Sequence, residues 1–219
     1  MDNKEIQKRR MMGYFLTATN TIIDEEGISA VTIRKVASIA GFNIATVYNY
    51  FENLNHLIFF ASLKYLKDYA EDLPKYTMNS ENSLENYLNV WKCFSYHSYL
   101  RPEIYNIIFF SSFSHTTVNS SIKTYYSIFP EEIGEETKKF LPMLFEDNIH
   151  LRDYTLLKAA AAEGFFREED LHEINEMNIL IYNGMLSRIL SGKNDYTVDV
   201  AVKKTLTYIE RTLSSYRID

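Results

Sequence analysis

Cysteine is nearly absent from this chain. The single thiol, Cys93, excludes an internal disulfide and any multi-thiolate metal site. A lone cysteine fits a reducing, cytoplasmic setting, where it serves as a small buried apolar group. No apolar run approaches the roughly 20 residues needed to span a bilayer, so no membrane partner is expected. Catalytic signatures are missing as well. There is no Gly-rich phosphate loop, no His-Glu-x-x-His, no Gly-x-Ser-x-Gly, and no carboxylate pair flanked by a helical histidine. His56, His97, His115, His150 and His172 are scattered singly, as surface or satisfied core imidazoles usually are. These absences argue against an enzyme, a cofactor or a bound metal. Strand-like alternation is also lacking, so the expected fold class is all-α.

The stretch from Val31 to Phe51, VTIRKVASIAGFNIATVYNYF, carries the most information. Thr32 offers a side-chain oxygen to cap a helix over Ile33 to Ile39, with Val36, Ala37 and Ala40 on its buried face. Gly41 stands where that helix must stop, because a residue without Cβ accepts a left-handed C-cap at little cost. Asn43 is then the N-cap of a second helix running to about Tyr50. Cap, short helix, glycine turn, cap, short helix is the pattern of a helix-turn-helix. Val47 and Phe51 would pin the second helix inward, leaving Ile44, Ala45, Thr46, Asn49 and Tyr50 outside. That set has no acid and could enter a major groove without repelling phosphate. Tyr48 is placed to turn its hydroxyl toward the DNA backbone. The competing reading is a helical hairpin buried in a larger bundle.

Residues from about Phe15 to Leu57 resemble the DNA-binding domain of the tetracycline-repressor (TetR) family of bacterial regulators. The resemblance rests on FLTATNTIIDEEG, Thr32, Val36-Ala37, Ala40-Gly41-Phe42, Thr46-Val47-Tyr48 and Tyr50-Phe51. It implies that Thr32 and Tyr48 contact phosphates, and that Arg34 with the exposed face from Asn43 to Tyr50 reads bases. One position departs from the family: Leu54 stands where a lysine is usual at the start of the next helix. Asn53 or Asn55 would replace that phosphate contact more weakly.

The net charge of −6 is unusual for a DNA-binding protein, but it is unevenly placed. Residues 1–60 carry six basic and six acidic side chains, so the acidity lies entirely in the remainder. Lys4, Lys8, Arg9 and Arg10 form a basic start, expected to be frayed without DNA, that serves either as an arm on DNA or as a solvated helix end. The helix after it, running to Glu26 with Phe15, Ala18, Ile22 and Ile23 on one face, would end at Gly27. A stiff helix from Asn55 to Asp72 then follows the motif without a linker, and the segment around Pro74 reads as the first break.

From Leu84 the chain is rich in aromatic residues. Leu84, Leu88, Trp91 and Phe94 form one stripe, and Pro102 opens the next helix. Tyr87, Trp91, Phe94, His97, Tyr105, Phe109 and Tyr125 are the candidate ligand-binding residues, since tyrosine and tryptophan give apolar walls with polar handles. An aromatic stripe is more often plain core. The few fixed charges here favour a neutral or weakly anionic, largely apolar effector over a polyanion. Near the kink expected at Pro142 the pattern breaks, and a helix from Leu151 to Glu163 precedes Gly164. The EGFFREED run that follows resembles a weak feature of TetR-family effector domains.

Two long helices, about Glu168–Leu190 and Val198–Tyr216, end the sequence. The first is apolar around more than half its circumference, which suggests two buried faces. Ile174, Ile181, Met185, Ile189, Val198, Val202 and Ile209 are therefore candidate dimer-interface residues in a four-helix bundle, with extra core inside one subunit as the alternative. The resemblance also implies a dimer.

The sequence thus predicts a helix-turn-helix domain over residues 1–53 and a larger helical effector-binding and dimerisation domain over residues 54–219. The expected function is a homodimeric, ligand-responsive regulator, a repressor, with double-stranded operator DNA and a small-molecule effector as partners. The alternative is a helical ligand-binding or carrier protein whose N-terminal hairpin makes protein contacts.

Overall fold

The computed structural model describes residues 3–110, 121–130, 141–144, 146, 148–192 and 196–218. All regular structure among the described residues is helical. Contacts gather the chain into two compact units. The first holds residues up to Lys67 together with the segment around residues 121–130. The second holds Asp68 to Phe110 and the chain from residue 141 onward.

The first unit contains α1 (Asn3–Glu26), α2 (Ile33–Ala40), α3 (Ile44–Tyr48), α4 (Leu54–Ser62) and a later helix, α8 (Ser121–Ile128). Helix α1 is regular from Asn3, so the basic start is not frayed as expected. The Glu5–Arg9 pair supports the first turns, and Arg9 Nη1 donates to the carbonyl of Ser127. Gly27, at φ 86°, ends α1 in a conformation that a Cβ would oppose. Phe15 is fully buried and is the hub of the unit. Its ring meets those of Phe42, Tyr50 and Phe51 at centroid distances of 5.4, 5.8 and 6.3 Å. Tyr125, on α8, is buried beside Tyr126 and Phe129.

The helical run after the motif is not one stiff rod. A 3-10 turn, Leu63–Tyr65, separates α4 from α5 (Leu66–Thr77). Helix α5 in turn continues through Pro74, where a break was expected. A proline removes one N–H donor, but Leu66, Tyr69, Ala70 and Leu73 bury an apolar face that carries the helix past it.

The second unit adds α6 (Ser83–Leu100), α7 (Pro102–Phe110), α9 (Leu141–Leu144), α10 (Ile149–Ala162), α11 (Leu171–Leu190) and α12 (Val198–Tyr216). Helix α6 packs on α10 and α12, and α11 packs on α7, α10 and α12. Tyr182 of α11 is buried at the centre. Its hydroxyl lies 2.5 Å from Ser98 Oγ, and its ring meets those of Trp91, Phe94, Tyr99 and Phe110. Leu84 and Leu88 are half-buried, so the inner face of α6 is rotated toward Tyr87, Val90, Trp91 and Phe94. Most of the stretch read as broken near Pro142, and His115, lie outside the described residues.

The predicted dimer residues need correction. Ile174, Met185, Val202 and Ile209 are buried within the single chain, at 0–7% exposure, and are not available to a partner. Ile181, Ile189 and Val198 are half-buried. The apolar side chains that α11 leaves exposed are Met177 and Leu180, at 38% and 62%, with Leu190 at its end.

Candidate nucleic-acid interface and ligand cavity

The helix-turn-helix is built by local chemistry. Thr32 Oγ1 accepts from the N–H of Lys35 at 3.2 Å and starts α2. Gly41, at φ 77°, stops it, its N–H and that of Phe42 returning to carbonyls of the last turn. Asn43 Oδ1 then accepts twice, from Thr46 N–H at 2.8 Å and from the Thr46 hydroxyl at 2.9 Å. With its oxygen so occupied, the Asn43 side chain presents its amide N–H groups. Asn43→Ala should lower stability by about 1 kcal/mol, read as a lower urea midpoint at unchanged m-value.

Val47 is fully buried and fixes the orientation of α3. Asn43, Ile44, Ala45, Tyr48 and Asn49 are exposed, as are Thr32 and Arg34 on the preceding segment. Thr46 is half-buried. Tyr50 differs from expectation: α3 ends at Tyr48, and the Tyr50 ring is half-buried against Phe15. Among the residues placed outside by the sequence, no acid lies on α3. Asn53 caps α4 by accepting from His56 N–H at 3.0 Å, and Leu54 in the first turn is half-buried. Lys35 is engaged by Glu26 at 2.5 Å.

In the second unit, Tyr69, Val90, Trp91, Phe94, Met143, Ile149, Arg152, Asp153 and Leu156 line a cavity of about 30 Å³. Trp91 and Phe94 are thus the predicted ligand residues that reach it. Tyr87 sits behind its wall, bonded to Asp153. Tyr105 and Phe109 are buried against Phe94, outside the lining. His97 turns instead to Asp72, with Nε2 3.1 Å from Oδ2; burial lowers its pKa against the raising effect of that carboxylate. Tyr125 belongs to the first unit, whereas the other six belong to the second.

The sequence reading missed Arg152 and Asp153, which are 4% and 3% exposed. Asp153 Oδ1 accepts from Tyr87 Oη at 2.6 Å and Trp91 Nε1 at 2.7 Å, while Oδ2 accepts from Asn175 Nδ2 at 2.7 Å. Tyr87 Oη in turn accepts from Asn178 Nδ2 at 2.7 Å. Arg152 donates to the carbonyls of Leu144 and Glu146, its guanidinium 4.8 Å from the centroid of the Phe109 ring. Burial pushes the Asp153 carboxyl up to about 7, against the lowering effect of its three donors. Its folded pKa therefore lies above the unfolded value. Its stabilising contribution is complete in acid and is lost as pH rises from about 4 to about 7. Thermal melts should show this decline in the wild type and a shallower one in Asp153→Asn.

No group of three or more residues able to hold a metal ion occurs among the described residues, and no described helix is long and apolar enough to cross a membrane.

The family of bacterial regulatory proteins named tetR matches this chain over residues 15–59. None of the curated proteins matches it. Several solved structures share its fold at low identity. A Mesorhizobium loti protein assigned to the TetR-family transcriptional regulators is 12% identical over 99% of this chain and 100% of its own, with a TM-score of 0.55. FadR of Thermus thermophilus, a TetR-family transcriptional repressor in complex with lauroyl-CoA, is 13% identical over 93% of each chain, with a TM-score of 0.60. A Clostridium perfringens protein assigned as a fatty acid metabolism regulator is 15% identical over 94% and 100%, with a TM-score of 0.51. Residues 15–59 thus match the tetR family of bacterial regulatory proteins at the helix-turn-helix, and the all-helical fold is shared with these structures.

Proposed function

We propose that the chain is a homodimeric, cytoplasmic repressor that leaves its operator when a small, largely apolar or aromatic effector binds in the second unit. The observation that carries this reading is the exposed, acid-free surface of α3, fixed by the Asn43 cap and the buried Val47. In this reading Thr32 and Tyr48 bond phosphate oxygens, while Arg34, Asn43, Ile44, Ala45, Thr46 and Asn49 meet base edges. Tyr50 supports α3 from behind through Phe15. The fold's capacity to hold an effector is illustrated by the Thermus neighbour and its lauroyl-CoA. Trp91 and Phe94, at the cavity here, are the handles for one in this chain. Release requires only that the effector bind the DNA-incompetent state more tightly than the competent one.

The dimer contact we assign is the outer face of α11. Pairing two α11 helices antiparallel about a two-fold axis near Tyr182 sets Leu180 over Gly184, Met177 over Ser187, and Glu176 against Arg188. An added Cβ at Gly184 would meet nothing within 4 Å, which leaves a recess for the exposed Leu180 of a second copy. The charges at the two ends complement each other under the same symmetry, as an isologous interface requires. Leu180→Glu should yield monomers by analytical ultracentrifugation and weaken operator binding with them. A dimer unaffected by this change would place the contact elsewhere.

A mobility-shift assay on the DNA upstream of the protein's own gene tests the function. Binding should weaken steeply with added salt, because phosphate contacts release counterions. Tyr48→Phe should lose about one hydrogen bond's worth of affinity, roughly 5- to 10-fold per operator half-site. Salt-indifferent behaviour, with the two proteins alike, would favour a carrier role.

A further inference from the structure

The effector cavity holds a buried acid that the fold itself does not neutralise. Asp153 takes three neutral donors, from Tyr87, Trp91 and Asn175, and among the described residues no lysine or arginine forms an ion pair with it. A carboxylate has about four acceptor positions; three are taken, and the remaining one is on Oδ2. The other walls are the rings of Tyr69, Trp91 and Phe94 and the hydrocarbon of Val90, Met143 and Leu156. Aromatic faces and a carboxylate both favour a positive charge, and they do so more strongly away from water.

Arg152 shares the wall, but its guanidinium is directed to two backbone carbonyls and the face of Phe109. It therefore sets the orientation of a guest, disfavouring a cation at its own end.

Building on the ligand-responsive reading above, we propose that this cavity takes the head of a small organic cation, an alkyl- or arylammonium group, with Asp153 as its counter-ion and Trp91, Phe94 and Tyr69 as its aromatic walls. This departs from the neutral or weakly anionic effector expected from residues 84–129, because the acid comes from α10, outside that stretch. The hydrocarbon part lies against Val90, Leu156 and Met143, whose unbranched thioether side chain can shift to enlarge a cavity of about 30 Å³.

Several groups face Asp153: Tyr87 and Trp91 on α6, Asn175 and Asn178 on α11, Tyr69 on α5, and Arg152 and His150 on its own helix. Tyr69 and Tyr87 are pushed up by burial and stay neutral near pH 7, and His150 reaches Asp153 only through Asn175. Asp153 is thus the acid whose ionisation governs pairing with a cation.

The test uses the full chain without DNA, so that it is independent of operator binding. Benzylammonium, benzyl alcohol and benzoate are titrated by calorimetry and by the emission of Trp91, the only tryptophan. Benzylammonium should change that emission saturably and bind at least tenfold more tightly than benzyl alcohol at pH 8. Its affinity should rise about tenfold between pH 6 and pH 8, as Asp153, pushed up to about 7, ionises while the amine stays charged. Asp153→Asn, checked for folding by circular dichroism, should lose the preference for the cation. If that variant does not fold, the wild-type pH profile decides. Preference for benzoate would assign the site to Arg152 and overturn the proposal, as would equal binding of amine and alcohol or a flat pH profile. Cation binding without operator binding would instead defeat the regulator reading and leave this one standing.

Discussion

Ala45→Glu should abolish operator binding while the chain stays folded. Ala45 is exposed in the first turn of α3, and no acid stands on that helix. A glutamate there would lie close to phosphates, and like charges at a close interface cost several kcal/mol. With two copies in the proposed dimer, the loss should be on the order of 10²- to 10³-fold in affinity. Stability should change by less than about 0.5 kcal/mol, since the site is exposed and an acid near a helix N-terminus is mildly favourable. Ala45→Lys, of similar bulk and opposite charge, should keep or raise non-specific affinity. Fluorescence anisotropy on a labelled duplex, with thermal melts beside it, separates the two effects. Equal affinities for wild type and Ala45→Glu would remove α3 from the interface.

Phe15→Ala should be the most damaging change to the first unit. Phe15 is fully buried and joins α1 to Phe42 in the turn, Tyr50 after α3, and Phe51 beyond it. Removing a buried phenyl ring leaves a cavity and costs about 3–5 kcal/mol. That is a large share of the marginal stability of a small domain. Urea denaturation should show the loss directly. The loss should fall on the first unit, so Trp91 emission, which reports the second, should still show a cooperative transition. If Phe15→Ala costs under about 1 kcal/mol, the ring is not the organising contact.

The parts of this molecule that were legible in the sequence are those decided over a few residues. Thr32, Gly41 and Asn43 each act on backbone groups within about one turn, so their roles follow from residue type and position. The bounds of α12, Val198–Tyr216, follow from caps and apolar spacing in the same way. Pro74 was misjudged because a local rule met a tertiary one: Leu73 and its neighbours are buried deeply enough to carry α5 through.

The candidate ligand site was legible only by half. Trp91 and Phe94 share a helix face and could be paired by spacing, but Asp153 meets Trp91 across 62 positions of chain. Nothing in the local pattern of α10 marks that acid as buried. Tyr125 was grouped with the aromatic stripe because helical period tells which residues share a face, not which core that face joins. The same limit explains the dimer residues. The width of the apolar surface on α11 signalled two covered faces, but Ile174 and Met185 turned out to be inside the subunit, while Met177 and Leu180 point out.

Chemical probing of an operator duplex selected from random sequence tests the DNA-reading claim most directly. Dimethyl sulfate marks guanine N7 in the major groove and adenine N3 in the minor groove. If α3 of each subunit lies in a major groove, the bound protein should protect guanine N7 in two patches about one helical turn apart, roughly 34–36 Å, and Ala45→Glu should protect neither. Protection confined to adenine N3, or no protection under conditions where the protein binds, would contradict it.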